Sequence, residues 1–197
     1  QWEESSEVQN IMKELEIEEE DSLQTYFVSR VENILNKYGK KLIGWDEIIE
    51  GGLIENATVM SWRGEEGGVI AAQSGNEAIM TPTSHMYFDY YQAKSGEPLA
   101  IGGLITLDKV YSYEPIPEGL DLNEATKILG AQANVWTEYI KTPQMVEYMS
   151  VPRMTALSEI VWSKRKDRNL EEFKKRLKFF RYFLDNGDIN YRKNDFK

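Results

Sequence analysis

The chain has 197 residues, with 33 acidic and 23 basic side chains and a formal net charge of −10. This acidity argues against nucleic-acid binding, which needs a basic surface that displaces counterions from phosphates. Cysteine is absent and His85 is the only histidine, which excludes disulfides, thiolate metal sites and His-rich metal clusters. No apolar run reaches the ~18 residues of a membrane-spanning helix. We therefore expect no metal, no cofactor, no nucleic-acid partner and no membrane insertion.

The spacing of apolar residues predicts alternating helices and strands. A helix is predicted from Leu23 to Tyr38, and short strands are predicted at 41–45, 57–62, 77–81 and 129–134. Further helices are predicted at 65–73, at 143–162 with a kink at Pro152, and at 170–184. This order favours a parallel α/β sheet, in which side chains at the carboxyl ends of the strands line the functional site.

Aromatic residues are concentrated at those strand ends. Trp45, Trp62 and Trp136 follow the first, second and fourth predicted strands, and a polar-aromatic cluster at 85–91 follows the third. Aromatic rings beside a few carboxylates suit a sugar, because its C–H faces stack on rings while its hydroxyls donate to charged acceptors. Trp2 and Trp162 are predicted to pack against apolar surface instead.

Five motifs together resemble the family 20 glycoside hydrolases, the β-N-acetylhexosaminidases, over about residues 23–162. They are Ile-Gly-Trp-Asp at 43–46, Ser-Trp-Arg at 61–63, Tyr-Phe-Asp at 87–89, Gly-Ala-Gln-Ala-Asn-Val-Trp-Thr-Glu at 130–138, and the helix from Glu147 through Pro152 and Arg153 to Trp162. The resemblance implies a (β/α)8 barrel that removes terminal β-linked N-acetylglucosamine or N-acetylgalactosamine with retention of configuration. In that mechanism the substrate's own acetamido group attacks the anomeric carbon.

The same resemblance implies roles for single residues. Trp45, Trp62 and Trp136 would be walls around the acetamido group and the sugar face. Tyr87 would donate its hydroxyl to the acetamido oxygen, which must be held in line with the anomeric carbon. The partner would be a glycan ending in an N-acetylhexosamine, and the resemblance is compatible with a periplasmic or secreted bacterial protein.

Other matched positions have roles at the rim of the site or in the scaffold. Asp89 and Glu138 would accept hydrogen bonds from sugar hydroxyls far from the leaving group. Arg153 and Glu159 are expected to form a structural pair on the last barrel helix. His85 either orients the loop that carries the Tyr-Phe-Asp motif or packs there.

One family feature has no counterpart in the sequence. The family's catalytic aspartate and glutamate are adjacent and follow a strand, preceded by a histidine and paired glycines, and no such strand occurs here. Asp46 and Glu47 are also adjacent, but the residues before them match the family's next strand, and adjacent strand residues point to opposite faces. We therefore expect the catalytic pair upstream of Gln1 and assign the four strands to positions five to eight of the barrel.

On this assignment residues 1–162 are the C-terminal half of a catalytic barrel, and 163–197 form a basic helix and tail that pack on it or follow it. The chain alone is expected to be inactive. A half barrel also exposes strand edges, so it would need the N-terminal half or self-association to cover them. Two alternatives remain open: a non-catalytic carbohydrate-binding half barrel, and another barrel hydrolase that uses Asp46 or Glu47 with Glu138.

Overall fold

The computed structural model describes residues 1–196. Four strands and eight helices follow in chain order. The strands are β1 (Ile43–Trp45), β2 (Thr58–Ser61), β3 (Ala78–Met80) and β4 (Ile128–Ala131), and the helices are α1 (Ser6–Glu14), α2 (Glu20–Lys37), α3 (Glu66–Gln73), α4 (Leu107–Tyr111), α5 (Leu122–Ala125), α6 (Pro143–Ser150), α7 (Arg153–Trp162) and α8 (Leu170–Asn186).

The strands form one sheet in the order β1-β2-β3-β4. Pairing is parallel between β1 and β2, where Trp45 lies opposite Met60, and between β2 and β3, where Ser61 lies opposite Met80. β4 lies next to β3, and the Ala78 amide donates to the Lys127 carbonyl just before β4 begins (2.9 Å). The four predicted strands are confirmed, each shorter than its apolar run.

The chain divides into two compact units, of which the first comprises Gln1–Met80 and Ile116–Leu129. Its apolar core contains Val59 of β2, Ala71 of α3 and Ala78 of β3, each fully buried. α3 lies close against β2 and β3 because its inner face carries small residues. A Cβ on Gly68 would lie 2.4 Å from the sulfur of Met80. These strands and helices hold the carboxyl ends of β1 and β2 in a fixed register.

The second unit comprises Thr81–Pro115 and the chain from Gly130 onward. One apolar cluster joins Ala100, Ile140 and Met149, and α4 packs separately on α7. The long segment after β3 therefore contains a short helix packed on α7. Near the C-terminus, Arg192 pairs with Glu97 (2.7 Å).

Two helix expectations differ from the structure. The helix predicted across 143–162 is two helices, because Val151 is extended and Pro152 has no amide hydrogen to continue the first. Trp162 at the end of α7 was expected to pack, but 89% of its surface is exposed among the described residues. The apolar periodicity of α7 identifies a helix without identifying what covers each side of it.

The contact between α3 and the turn after β1 gives a first prediction. A Cβ on Gly67 would lie 2.7 Å from the Cβ of Asp46 and 3.1 Å from the hydroxyl oxygen of Ser61. In the complete protein we expect Gly67→Ala to lower the free energy of unfolding by about 1–3 kcal/mol in urea denaturation, since overpacking outweighs the gain in helix propensity. Gly64→Ala is the control because nothing lies within 4 Å of its Cβ position. Equal stability of the two variants would contradict the prediction.

Candidate functional site

In the first unit, two of the predicted sugar-contacting tryptophans stand at strand ends. Trp45 is the last residue of β1, and Trp62 follows β2 directly; both are half-buried. A 3₁₀ turn, Asp46–Ile49, begins immediately after Trp45. The turn places two adjacent carboxylates beside the end of β2.

Both carboxylates of this turn bond to the segment after β2. One oxygen of Asp46 accepts the amide hydrogens of Trp62 (2.9 Å) and Arg63 (3.2 Å), and the other accepts from the Arg63 Nε (2.6 Å). Glu47 accepts the indole N–H of Trp62 at 3.0 Å. Asp46 is only 2% exposed. Because both of its oxygens already accept hydrogen bonds inside the fold, this carboxylate is poorly placed to exchange a proton with a substrate.

In the second unit, the segment that carries the Tyr-Phe-Asp motif is fixed by Asn134. The Phe88 amide donates to the Asn134 carbonyl (2.7 Å), and the Asn134 amide donates to the Met86 carbonyl (2.8 Å). The side chain of Asn134 donates to the Thr81 hydroxyl (2.7 Å) and accepts from Gln132 (2.9 Å). The backbone bonds form a parallel bridge between Tyr87 and Asn134, which holds the motif against the segment that follows β4.

The four predicted site residues of this unit interact with one another. Burial raises the pKa of Tyr87, and hydrogen bonds with the side chains of Trp136 and Asn134 act in the opposite direction. Burial also raises the pKa of Asp89, and the charge of Glu138 adds to the rise. Tyr87 and Asp89 are buried, whereas Trp136 is 43% exposed and Glu138 is exposed. The cluster therefore combines a phenol donor, two carboxylate acceptors and an accessible indole face.

Asp89 has one oxygen that no described residue satisfies. Its Oδ1 is buried and has no hydrogen-bond partner among residues 1–196. A buried acceptor without a partner costs about 1–3 kcal/mol, and a ligand hydroxyl could recover that cost. This is the chemistry expected of a residue that selects a hydroxyl-bearing substrate.

A second layer behind this cluster is centred on Arg153, which is fully buried. The expected pair with Glu159 does not form: Glu159 instead pairs with Arg176 (2.6 Å) and accepts from the Tyr111 hydroxyl (2.7 Å). The guanidinium of Arg153 donates to backbone carbonyls, including that of Tyr90 (3.2 Å). Since Tyr90 directly follows the Tyr-Phe-Asp motif, Arg153 braces the backbone that presents Tyr87 and Asp89.

His85 lies beside this segment in a packed environment. Its Nδ1 is 2.8 Å from the Ser84 hydroxyl, and its ring centroid is 5.0 Å from that of Tyr113. Burial lowers the pKa of His85, and the positive charge of Lys109 lowers it further. The imidazole is therefore mainly neutral at pH 7 and lies against the ring of Tyr113. These contacts favour a packing role for His85.

Two of the supporting residues were not singled out as such by sequence reasoning. The sequence identifies Asn134 only as part of a motif, and its side-chain bonds to Thr81 and Gln132 become visible only in the structure. Arg153 was assigned the wrong partner because arginine side chains are usually exposed and paired with carboxylates. Within residues 1–196, no group of three or more His, Cys, Asp or Glu side chains has an arrangement that could hold a metal ion. No helix in that range is long and apolar enough to span a bilayer.

The chain resembles known proteins along almost its whole length. A family model described as glycosyl hydrolase family 20, catalytic domain, matches residues 1–165. A curated β-hexosaminidase of Porphyromonas gingivalis is 44% identical over 192 residues, which are 96% of this chain and 25% of that protein. A β-hexosaminidase of Vibrio furnissii is 30% identical over 161 residues, covering 80% of this chain and 26% of that protein.

Solved structures agree with these relatives. The exo-β-N-acetylglucosaminidase of Vibrio harveyi in complex with N-acetylglucosamine superposes with a TM-score of 0.88 at 31% identity, covering 100% of this chain and 31% of that one. A chitobiase of Flavobacterium johnsoniae gives a TM-score of 0.81 at 28% identity, covering 98% of this chain and 28% of that one. The chain thus spans about a quarter to a third of the length of these relatives, and the prediction of a partial (β/α)8 barrel is confirmed. The chain belongs to family 20 of the glycosyl hydrolases and represents part of that family's catalytic domain.

Proposed function

We propose that this chain is the sugar- and acetamido-binding half of a retaining, substrate-assisted exo-β-N-acetylhexosaminidase. The observation that carries the proposal is the cluster of Tyr87, Asp89, Trp136 and Glu138 in the second unit, in which a buried Asp89 oxygen has no partner among the described residues. The relatives named β-hexosaminidase support the reaction class. The substrate would be a glycan with a terminal β-linked N-acetylglucosamine or N-acetylgalactosamine.

Each residue contributes a separate interaction in this proposal. Tyr87 donates its hydroxyl to the acetamido oxygen, and burial raises the pKa of the phenol further above neutral pH. Asp89 and Glu138 accept hydrogen bonds from hydroxyls of the terminal sugar. Trp136, Trp45 and Trp62 provide apolar surface for the acetamido methyl group and the sugar face. Holding the acetamido oxygen against the anomeric carbon turns the attack into an intramolecular step.

The general acid and the aspartate that orients the acetamido nitrogen are not supplied by this chain in our proposal. Residues 1–196 contain no strand that ends in an adjacent aspartate and glutamate after a histidine and paired glycines. Asp46 and Glu47 are both hydrogen-bonded to the segment after β2. The proposal therefore assigns the acid and the orienting aspartate to a part of the barrel that the relatives have beyond the matched portion.

Exposed apolar surface at the edge of the sheet also supports the proposal that this chain is one part of a larger barrel. Ile43 in the edge strand β1 is 53% exposed, and Phe27 and Ile34 of α2 and Tyr38 just after it expose apolar surface as well. An unpaired strand beside apolar surface favours association. We propose that the rest of the barrel covers this surface in the complete protein and that the isolated chain self-associates or remains partly unfolded. A monomeric mass by light scattering together with cooperative melting would contradict the second expectation.

The proposed function is tested with a chromogenic β-N-acetylglucosaminide. We expect hydrolysis by the complete protein and none by residues 1–197 alone, because the chain would lack the acid that protonates the leaving group. The anomeric configuration of the first product, followed by NMR, should be retained. Hydrolysis by residues 1–197 at a rate comparable to the complete protein would overturn the assignment of the catalytic pair, and binding without hydrolysis by the complete protein would favour a carbohydrate-binding function.

A further inference from the structure

The two adjacent carboxylates after β1 engage a single tryptophan. Asp46 holds the main chain of Trp62, and Glu47 holds the far end of its ring. We propose that Asp46 and Glu47 are positioning residues which fix the indole of Trp62 as a wall of the site. We call the two contacts of Asp46 and Glu47 with Trp62 the clamp. The clamp rests only on contacts within the first unit, whereas the claim that this wall faces a sugar rests on the proposed function.

Asp46 secures the backbone where strand pairing stops. β1 ends at Trp45, opposite Met60, so the amides of Trp62 and Arg63 lie beyond the β1–β2 ladder. One carboxylate oxygen of Asp46 accepts both of these amides. The carboxylate thus replaces the carbonyl that a longer neighbouring strand would offer, and it stops the end of β2 from fraying.

Asp46 itself is held tightly. Its second oxygen accepts from the Arg63 Nε at 2.6 Å, and the Arg63 guanidinium also pairs with Glu50. The hydrogen bond to Glu50 raises the pKa of Arg63, and the bond to Asp46 raises it further. Burial acts in the opposite direction but does not cancel the rise. On the other side α3 carries Gly67 where any larger residue would collide with the Asp46 Cβ. Because α3 has a glycine at this point, the Asp46 side chain fits between α3 and the end of β2 and is fixed there by packing as well as by hydrogen bonds.

Glu47 determines the orientation of the ring. The rotation of a tryptophan ring about its second side-chain torsion is broad, so an anchored backbone alone leaves the indole free to turn. The hydrogen bond from the indole Nε1 to the Glu47 carboxylate (3.0 Å) adds a second point of attachment at the far edge of the ring. Glu47 is in turn tied to α2, because the Gln24 side chain donates to its carbonyl (2.7 Å).

Two attachment points explain why the carboxylates are adjacent. The turn Asp46–Ile49 sends one side chain to the backbone of the neighbouring strand end and the next to the ring of the same residue. A stacking wall contributes to catalysis only if its face is held in the productive orientation, since small displacements in a site reduce the rate strongly. Glu47 acts through Trp62 and is therefore a positioning residue, without contact to substrate.

The test follows the indole N–H of Trp62 directly. The complete protein is labelled with indole-¹⁵N tryptophan, and the Trp62 signal is assigned by its loss in Trp62→Phe. We expect Glu47→Ala to move this signal toward that of a solvent-exposed indole and to accelerate its hydrogen exchange about 10- to 100-fold, the loss expected for a hydrogen bond to a charged group. Glu47→Gln retains an acceptor oxygen and should restore most of the protection.

Glu50→Ala is the matched control, because Glu50 lies after the same turn and bonds Arg63 without reaching the Trp62 ring. It should leave the indole signal in place. An unchanged signal in Glu47→Ala, or equal changes in Glu47→Ala and Glu50→Ala, would overturn the proposal. If Glu47→Ala fails to fold, Glu47→Gln is compared with Glu50→Ala. A neutral amide oxygen accepts a weaker hydrogen bond than a carboxylate, so a small loss of protection in Glu47→Gln that is absent in Glu50→Ala supports the role of Glu47, and no difference between the two overturns it.

Kinetics on the complete protein separate this inference from the proposed function. Glu47→Ala should reduce kcat/KM about 10-fold when Trp62 is present and have little further effect in the Trp62→Phe background, because both variants remove the same oriented ring. Additive effects would contradict a role through Trp62. If the complete protein shows no hydrolysis at all, the proposed function fails while the indole measurement still decides whether the clamp exists.

Discussion

Replacing Arg153 with methionine is expected to lower the free energy of opening of the 86–91 segment by about 3–5 kcal/mol, a size typical of breaking a buried charge network. The guanidinium donates to the carbonyls of Ile105 (2.9 Å), Tyr90 (3.2 Å), Met149 (2.5 Å) and Phe88, and it stacks over the Phe88 ring at 4.7 Å. Methionine fills similar volume but leaves these buried carbonyls without a donor.

Arg153 remains charged in the folded protein, which makes its contacts strong. Burial lowers its pKa to about 9, and the negative charges of Asp195, Asp89 and Glu97 oppose that shift. Because a pKa of about 9 is still above neutral pH, the side chain donates as a cation at pH 7. Its charge also lowers the pKa of Asp89, partly offsetting the effect of burial on that carboxyl.

Hydrogen exchange measured by mass spectrometry on peptides covering 86–91 is the appropriate readout, since it reports local opening in the complete protein. Arg153→Lys should rescue little, because an ammonium cannot span carbonyls on several sides at once. Arg176→Met is the control. Arg176 lies on α8 and pairs with Glu159 of α7, but 57% of its side chain is exposed. Its loss should cost no more than about 1 kcal/mol. Similar exchange in both methionine variants would refute a bracing role for Arg153.

Much of the fold follows from local sequence patterns. Short apolar runs predict β1 to β4, and the long connections between them favour parallel pairing, which the structure shows for β1 with β2 and for β2 with β3. The strand-end rule also predicts Trp45, Trp62 and Trp136 as members of a site. What these patterns cannot supply is the partner of a buried polar group. The sequence around Arg153 offers Glu159 six residues later, whereas the structure supplies carbonyls from Phe88 and Ile105.

The same limit applies to the carboxylates of the site. Asp46 and Glu47 look alike in the sequence, and adjacency alone favours a catalytic pair as readily as a structural one. Their roles depend on the register of β1 against β2, which brings the amides of residues 62 and 63 beside the turn. Asp89 differs from both because one of its buried oxygens has no partner among the described residues. Side-chain type and spacing do not distinguish these cases, since each depends on contacts between distant segments.

Tyr87→Phe in the complete protein is expected to reduce kcat for a β-N-acetylglucosaminide by about 10²-fold, a loss typical of misplacing a reacting group. The phenylalanine keeps the ring and its contact with Tyr90, whose ring centroid is 5.7 Å away, and removes only the hydroxyl. The acetamido oxygen can attack only when it is held in line with the anomeric carbon, so loss of the hydrogen bond that holds it there lowers the rate of the chemical step.

The kinetic signature separates this role from simple binding. Loss of a residue that aligns the attacking oxygen lowers kcat and kcat/KM together, whereas loss of a contact that only binds the substrate raises KM and leaves kcat unchanged. Tyr139→Phe is the matched control, because Tyr139 is 44% exposed and follows the same strand end as Trp136. It should stay within about threefold of the unaltered protein, in line with the small effects of most surface substitutions. A Tyr87→Phe enzyme with unchanged kcat and a raised KM would assign Tyr87 to substrate binding and remove it from the catalytic step.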